Sequence, residues 1–405
     1  MLKRIEQSLG RKTGGQASHP SILFDSGASL TRACSVYLLQ RYGPRPIDLD
    51  IIAYGDRVLE LPHLQVPHPR TRERHFVLAP VNDLDTCDAE STGPASRLAA
   101  WWRSLGGEAL VGNKDLRRVL PLAHQRVLTF GITTHIVGVL NVTPDSFSDG
   151  GDVSGVASAV DAALAMAAAG ASVIDIGGQS TRPGAAPVSA SEELSRVLPV
   201  IQHLHKALPA EVAMSVDTFY GEVATAAVAA GAHIVNDVSG GRWDPTLLPA
   251  VAASGAAYVA MHSRGAPVTV HAAEHSVYPA GGLILQVRDE LQDVCQRAEA
   301  AGVHAWRILI DPGIGFAKTR DGNLQLLREL ASIRPCLPHA PIFVGASRKG
   351  FLGALVGGKP PKERDWATSA TVTASIAGGA AFVRVHNVPA MRDVVAVADA
   401  IYRHV

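Results

Sequence analysis

Eight short β-branched runs recur between residue 135 and the C-terminus, and an Ala- or Leu-rich segment with helical spacing follows each of them. The runs are almost continuously apolar rather than alternating, which is typical of parallel strands buried on both faces. Eight strand–helix units in about 270 residues suit an α/β fold of the closed (β/α)8 TIM barrel type. The predicted strands are residues 135–143, 172–178, 213–218, 233–239, 257–263, 307–313, 341–347 and 382–388.

An open, doubly wound sheet is the alternative fold, and periodicity alone does not distinguish the two. Seven of the eight predicted strands end in or near an Asn, Asp, Ser, Arg or His. In a barrel all these strand ends converge on one rim. Asn141 on the first strand and Arg384 and His386 on the eighth could share a site only if those strands are neighbours, so we favour the barrel.

Composition excludes several classes of function. Among 405 residues, 37 are basic and 37 acidic, so no overall charge would recruit nucleic acid or an anionic membrane. The four cysteines lie far apart without a CxxC pair, which predicts neither a zinc site nor a disulfide framework. No apolar run approaches the roughly 20 residues of a membrane helix, and the basic start lacks the apolar core of a signal peptide. We expect a soluble protein without nucleic-acid or membrane partners.

Acidic and amide side chains end four of the strands. Asp175 precedes GGQSTRPGA, whose Thr181 and Arg182 could clamp an anion. Any one such side chain is commonly a helix cap or half of an ion pair. Together they suit recognition of a ligand edge rich in N–H donors, and a metal site is the weaker alternative because the acids lie on separate strands. The four are Asp175, Asp217, Asn236 and Asp311.

Cations and a hydroxyl end the last two strands. The segment GASRKGFLG (345–353) contains Ser347, Arg348 and Lys349, and VRVHNV places Arg384 and His386 on one strand face. TIM barrels commonly bind phosphate at strands seven and eight. These residues therefore predict a phosphate site.

The segment NVTPDSFSDGG (141–151) resembles the signature of dihydropteroate synthases, and the resemblance extends over about residues 130–405 and all eight strand ends. It implies joining of a pterin pyrophosphate to p-aminobenzoate, with sulfonamides as competitors and a homodimer as the usual assembly. Asn141 would hold Mg²⁺, and Arg384 and His386 would bind pyrophosphate. With Lys349, these three form the implied catalytic set.

The same resemblance implies the other ligand contacts. The pterin would be held by Asp175, Asp217, Asn236, Asp311 and Lys349, with Met261 lining its pocket. Thr181 and Arg182, with the loop around Asp145 and Ser146, would close over the site. Phe316 and Ser347 would border p-aminobenzoate. The sequence departs from the family pattern at Gln179, where many members have Glu, and at Asn387, where bacterial members often have an acid.

Segments 41–56 (RYGPRPIDLDIIAYGD) and 66–80 (VPHPRTRERHFVLAP) resemble the second half of hydroxymethyldihydropterin pyrophosphokinase. Asp48 and Asp50 would share one strand face, a spacing that suits Mg²⁺ ions bridging ATP phosphates. The resemblance implies nucleotide or substrate contacts by Arg41, Arg45, His68 and Arg74. A charged surface hairpin is the alternative interpretation.

We therefore expect three regions: a partial α+β pyrophosphokinase domain (1–90) with an insertion at about 11–40, a linker (91–130) containing one helix at Pro94–Leu105, and the barrel (131–405). Because the resemblance covers only half of a kinase core, we expect no pyrophosphokinase activity from this chain alone. Fusions of this style resemble plant enzymes, which implies the mitochondrial matrix; otherwise we expect the cytoplasm.

Two other functions fit parts of the pattern. A pterin-binding barrel that transfers methyl groups from methyltetrahydrofolate to a corrinoid would share the aspartates but would not use a pyrophosphate clamp. A catalytically silent pterin or anion binder would use every proposed ligand. An activity assay separates that binder from the enzyme.

Overall fold

A computed structural model describes residues 50–54, 57–62, 64–84, 94–110, 116–143, 152–179, 186–270, 272–279, 281–334 and 340–403. The chain divides into two compact units, Met1–Gly107 and Glu108–Val405. None of the described helices is long and apolar enough to cross a membrane.

The described part of the first unit consists of a small hairpin and two helices. Strands β1 (Leu59–Leu61) and β2 (Leu64–Val66) pair antiparallel. Helices α1 (His75–Leu84) and α2 (Pro94–Ser104) follow, and the second confirms the predicted Trp-containing helix to within one residue. Leu78 and Trp102 of these helices are almost completely buried.

The second unit begins with an antiparallel hairpin and continues as eight parallel strands. The hairpin strands are β3 (Arg118–Pro121) and β4 (Val127–Phe130). The parallel strands are β5 (His135–Asn141), β6 (Val173–Gly177), β7 (Ala213–Asp217), β8 (Ile234–Asp237), β9 (Ala257–Met261), β10 (Ile308–Asp311), β11 (Ile342–Val344) and β12 (Ala380–Val385).

The eight parallel strands form a closed barrel in which β12 pairs with β5, for example Phe382 with His135. The predicted barrel is confirmed, and seven of the eight predicted strands contain the observed one. The last observed strand begins at Ala380, two residues before its predicted start. The surrounding helices are α3 (Asp152–Ala168), α4 (Ala190–Ala207), α5 (Gly221–Ala229), α6 (Leu247–Ser254), α7 (Leu283–Ala300), α8 (Arg320–Arg328), α9 (Gly350–Leu355), α10 (Asp365–Ala377) and α11 (Val388–Tyr402).

Alternation along each strand divides the core into two layers. Outward residues such as Ile174 and Val216 pack against the helices, whereas inward residues such as Val173 and Ala213 form a separate inner cluster. Most of the inner residues lie at or near the first residues of their strands, so this cluster fills the amino end of the barrel. The carboxyl end is left for polar side chains.

The hairpin closes the amino end. Leu120, Leu122, Leu128 and Phe130 belong to the same inner cluster as the strand residues, and each is at most 9% exposed. Val119 and Val127 lie on the opposite face of the hairpin and are 48% and 60% exposed. The stretch that we interpreted as a linker (91–130) therefore contains part of the barrel core, since the second unit begins at Glu108.

Candidate active site

Arg384 connects three strands at the carboxyl end of the barrel. Its Nε donates to Asp175 Oδ2 over 2.6 Å, and its Nη2 donates to Asp217 Oδ2 over 2.8 Å. Asn236 Nδ2 also donates to Asp175 Oδ2, over 3.0 Å. The structure thus brings together four of the predicted site residues, including members of both the acidic and the cationic set.

Burial sets the protonation of this cluster. It raises the pKa of Asp217 to about 7, although the Arg384 guanidinium opposes the shift. Asp175 is fully buried, and its Oδ1 has no hydrogen-bond partner in the part of the chain described. An unsatisfied buried acceptor is costly, so this oxygen suits a donor supplied by a ligand.

A third buried acid and a lysine lie at the turn after β10. Asp311 is buried, and its Oδ1 accepts a hydrogen bond from the Gly313 amide over 2.7 Å. Lys349 Nζ donates to the carbonyl of Ile314 and lies 4.3 Å from the centre of the Phe316 ring. Burial lowers the pKa of Lys349 to about 8, and Asp311 partly offsets that effect.

The predicted phosphate-binding residues divide into two groups. His386 Nδ1 lies 3.0 Å from Ser347 Oγ, which also accepts from the His386 amide over 3.3 Å. Arg348 instead forms a two-pronged ion pair with Asp365 of α10, over 3.0 and 3.2 Å. Asn387 donates to the same carboxylate over 2.7 Å, so Arg348 holds the loop rather than extending towards the rim.

Asn141 is the last residue of β5, and its register partner is Gly177 on β6. It is partly exposed at the same barrel end as Asp175. Met261 is buried in an apolar cluster with Phe219, Val238, Val270 and Phe316. That cluster forms an apolar region near the strand ends.

Some predicted residues are not placed. Thr181, Arg182, Asp145 and Ser146 lie outside the described residues, as do Arg41, Arg45 and Asp48. In the first unit, Asp50 accepts from Arg74 Nη1 over 2.8 Å and lies 3.7 Å from His68 Nε2. Three of the predicted kinase-type residues are therefore neighbours.

Sequence reasoning missed two buried ionisable residues beside the site. Glu193 of α4 is fully buried, and burial raises its pKa to about 7. Gln179 Nε2 donates to it, which explains why an amide is accommodated at that position. Lys318 is 9% exposed behind the turn after β10. A lysine in the otherwise apolar context GIGFAKT was the signal that could have revealed it.

Comparison with known families identifies both parts of the chain. Residues 137–386 match the family model described as pterin binding enzyme, and residues 1–86 match that of 7,8-dihydro-6-hydroxymethylpterin-pyrophosphokinase. A mitochondrial folate synthesis bifunctional protein of Arabidopsis thaliana is 43% identical over 427 residues, covering 100% of this chain and 71% of the relative. The dihydropteroate synthase of Synechocystis is 44% identical over 284 residues, covering 70% and 95% respectively.

Solved structures agree with these relatives. Xanthomonas albilineans dihydropteroate synthase with 4-aminobenzoic acid has a TM-score of 0.62 at 40% identity, covering 70% of this chain and 98% of that one. The Burkholderia cenocepacia enzyme complexed with 7,8-dihydropteroate gives 0.62 and 40%, covering 70% and 96%. The chain therefore belongs to the pterin-binding enzyme family: its barrel is a dihydropteroate synthase domain, and the order of its two parts is that of the similar plant folate synthesis bifunctional proteins.

Proposed function

We propose that the barrel condenses 6-hydroxymethyl-7,8-dihydropterin pyrophosphate with p-aminobenzoate through the residues described above. The observation that carries this assignment is the Arg384 bridge, because it joins acids suited to a pterin with the strand suited to pyrophosphate. The related structures with 4-aminobenzoic acid and 7,8-dihydropteroate support the same choice of ligands. So does the Yersinia pestis dihydropteroate synthase, whose structure contains a sulfonamide drug.

The pterin end of the pocket would consist of buried acceptors and one amide. Asp175 Oδ1 lacks a partner among the described residues and can accept from an N–H of the heterocycle. Asp217 and Asn236 add an acceptor and an amide on the neighbouring strands, and Asp311 adds a third carboxylate. A pterin edge presents N–H donors beside carbonyl and ring-nitrogen acceptors, so this set complements it.

The pyrophosphate end would consist of Arg384, His386 and Ser347, with Asn141 across the closed seam. No three His, Cys, Asp or Glu side chains gather as a metal site in the described parts of the chain. This fits Mg²⁺, which commonly takes one or two protein ligands and completes its shell with substrate phosphates and water. Asn141 would supply the protein oxygen, and the ion would neutralise leaving-group charge.

In the proposed reaction the C–O bond of the pterin methylene breaks, and pyrophosphate leaves with the bonding electrons. The arylamine nitrogen then donates its lone pair to that carbon and loses a proton. Arg384, with His386, stabilises charge on the departing pyrophosphate, whereas Asp175 and Asp217 stabilise positive charge on the pterin. Lys349 would orient the pterin, and Phe316 would border the arylamine.

The test is incubation of the purified chain with the pterin pyrophosphate, p-aminobenzoate and Mg²⁺. We expect dihydropteroate and pyrophosphate in equal amounts, with inhibition by a sulfonamide that p-aminobenzoate relieves. If neither product forms at any Mg²⁺ concentration, the proposal is contradicted, and a catalytically silent binder is the remaining interpretation. Product without sulfonamide competition would contradict the arylamine pocket.

Four further expectations extend this proposal. We infer that the chain alone does not transfer pyrophosphate from ATP, and that Asp50, His68 and Arg74 are the described part of a nucleotide and Mg²⁺ region. The plant relatives named mitochondrial support a mitochondrial location. A homodimer remains the expected assembly, which sedimentation measures. Substrate-level ATP turnover by the purified chain would contradict the first inference.

A further inference from the structure

Lys318 lies behind the turn after β10 with three acceptors around its ammonium. Its Nζ donates to the carbonyls of Gly313, over 3.0 Å, and Phe316, over 2.9 Å. The third contact is His262 Nδ1 at 2.8 Å. Burial lowers the pKa of Lys318 well below its ordinary value. Three acceptors are the number that its amino group needs when it is protonated.

The imidazole extends this contact to an ion pair. His262 Nε2 lies 2.9 Å from Glu290 Oε2, and Arg264 donates to both oxygens of Glu290, over 2.9 and 2.5 Å. Burial, reinforced by Lys318, lowers the pKa of His262 to about 3, so its ring is neutral. The proton is therefore on Nε2, and Nδ1 is the acceptor that faces Lys318.

The turn held by Lys318 also carries two residues of the proposed site. Phe316 provides its ring and one of the carbonyls, and Lys349 donates to Ile314, between the two carbonyls that Lys318 binds. Gly313 and Gly315 have positive φ angles of 67° and 85°, which other residues rarely adopt. Two lysines thus donate to backbone carbonyls of one tight turn.

The same group of residues fixes the neighbouring loop. The Arg264 guanidinium lies 4.0 Å from the centre of the Tyr278 ring, and Tyr278 donates its hydroxyl proton to the Ala317 carbonyl over 3.0 Å. The loop after β9 and the turn after β10 are therefore joined at two points. A change at Lys318 would reach the site through the turn, without any contact between Lys318 and substrate.

We propose that Lys318 is a positioning residue whose terminal nitrogen, oriented by His262, holds the Gly313–Phe316 turn so that Phe316 and Lys349 meet the substrates. This inference depends on the proposed function for its kinetic consequences. Replacement by Met matches the aliphatic part of the lysine side chain but leaves two carbonyls and an imidazole nitrogen without their donor.

The first test is Lys318→Met, with Lys362→Met on the exposed surface as the matched control. We expect the KM for p-aminobenzoate to rise about tenfold while kcat falls less than about threefold, because binding and not the reacting atoms is disturbed. Hydrogen exchange of residues 308–320 should accelerate in the same variant. An unchanged KM and unchanged exchange would overturn the proposal.

A pair of His262 variants tests which ring nitrogen matters. The Asn side chain places an oxygen near the Nδ1 position, whereas Gln reaches towards the Nε2 position. We expect the KM for p-aminobenzoate of His262→Gln to exceed that of His262→Asn at least about fivefold, because only Asn retains an acceptor for Lys318. Equal values would overturn the proposal. The pair also decides the question if Lys318→Met does not fold.

The experiments distinguish a failure of the proposed function from a failure of the positioning role of Lys318. If the wild-type chain makes no dihydropteroate, the synthase assignment fails, and hydrogen exchange of the turn still decides whether Lys318 positions it. If the wild-type chain is active and the variants exchange and turn over like it, only the positioning role fails.

Discussion

Arg384 Nη2 donates to Asp217 Oδ2 over 2.8 Å, although the two residues lie on strands separated by two others around the barrel. The same guanidinium donates to Asp175 over 2.6 Å. The sequence predicted an acidic pterin end and a cationic pyrophosphate end as separate parts of the pocket. The structure joins them through a single side chain.

Removal of Arg384 should therefore affect more than pyrophosphate. Arg384→Met leaves two buried carboxylates without their cation, and we expect it to lower the free energy of unfolding by about 3–5 kcal/mol. Asp217→Asn should cost less, because Asp175 remains paired. The double variant should be less destabilised than the sum, with a coupling energy of about 1–3 kcal/mol. Denaturant unfolding of the four proteins measures it.

The same variants test ligand binding by calorimetry. Because Arg384 and the aspartates are hydrogen-bonded to each other, each single change should weaken binding at both ends of the pocket. The two ligands to titrate are a pterin, and inorganic pyrophosphate with Mg²⁺. Selective loss of pyrophosphate binding in Arg384→Met, and of pterin binding in Asp217→Asn, would restore the simpler separation of the pocket.

The pH dependence of catalysis follows from two buried groups. Burial raises the pKa of Asp217 to about 7, so its negative charge is lost as pH falls through that value. Burial lowers the pKa of Lys349 to about 8, so its positive charge is lost as pH rises through that value. We expect kcat/KM for the pterin pyrophosphate to be highest between these values.

Two variants assign the limbs of that profile. Asp217→Asn should flatten the acid limb and Lys349→Met the alkaline limb, each with a lower maximum. Protonation of the substrate affects the wild-type protein and both variants equally, so it does not change the comparison of their pH profiles. An acid limb that persists unchanged in Asp217→Asn would show that another group controls it.

The barrel was predictable because its strands carry two independent signals. Apolar runs such as residues 257–261 mark burial on both faces, and the polar residue at a strand end marks the rim. The same logic placed Asp175, Asp217, Asn236 and Arg384 in one pocket. The position of a residue at a strand end is a local property of the chain, so the sequence alone predicts it.

The partners of individual site residues were not predictable. Arg348 and Lys349 are adjacent in sequence, yet Arg348 contacts Asp365 and Lys349 contacts the turn after β10. The φ angle of Arg348 is +61°, an uncommon backbone conformation that tertiary contacts stabilise. The contacts of Lys318 were not predictable for a related reason, since two of its acceptors are backbone carbonyls and the third is His262 on another loop.

Glu193 predicts an unusual dependence of stability on pH. Burial raises its pKa from the ordinary 4.5 to about 7, so the folded state retains a proton that the unfolded state releases. Its contribution to stability is therefore present below pH 4.5 and is lost as pH rises through about 7, amounting to about 3 kcal/mol. Glu193→Gln should remove this dependence and be the more stable protein at pH 8.

Urea unfolding of Glu193→Gln between pH 5 and 8 measures the effect, with the exposed Glu222→Gln on α5 as control. The control should follow the wild-type curve. If Glu193→Gln is less stable than the wild-type protein at pH 8, the ionised carboxylate has a favourable partner, and the predicted direction of the pH dependence is wrong.

The hairpin that closes the amino end of the barrel provides a matched pair of substitutions. Leu120 is fully buried in the inner cluster, whereas Val119 beside it is 48% exposed. Leu120→Ala should lower the free energy of unfolding by about 2–5 kcal/mol through lost contacts and a cavity. Val119→Ala should change it by about 0.5 kcal/mol or less. Because the hairpin lies at the end opposite the site, both variants should retain the wild-type KM values where they are folded. Equal stabilities of the two variants would show that residues 118–130 act only as a connection, as the sequence alone had indicated.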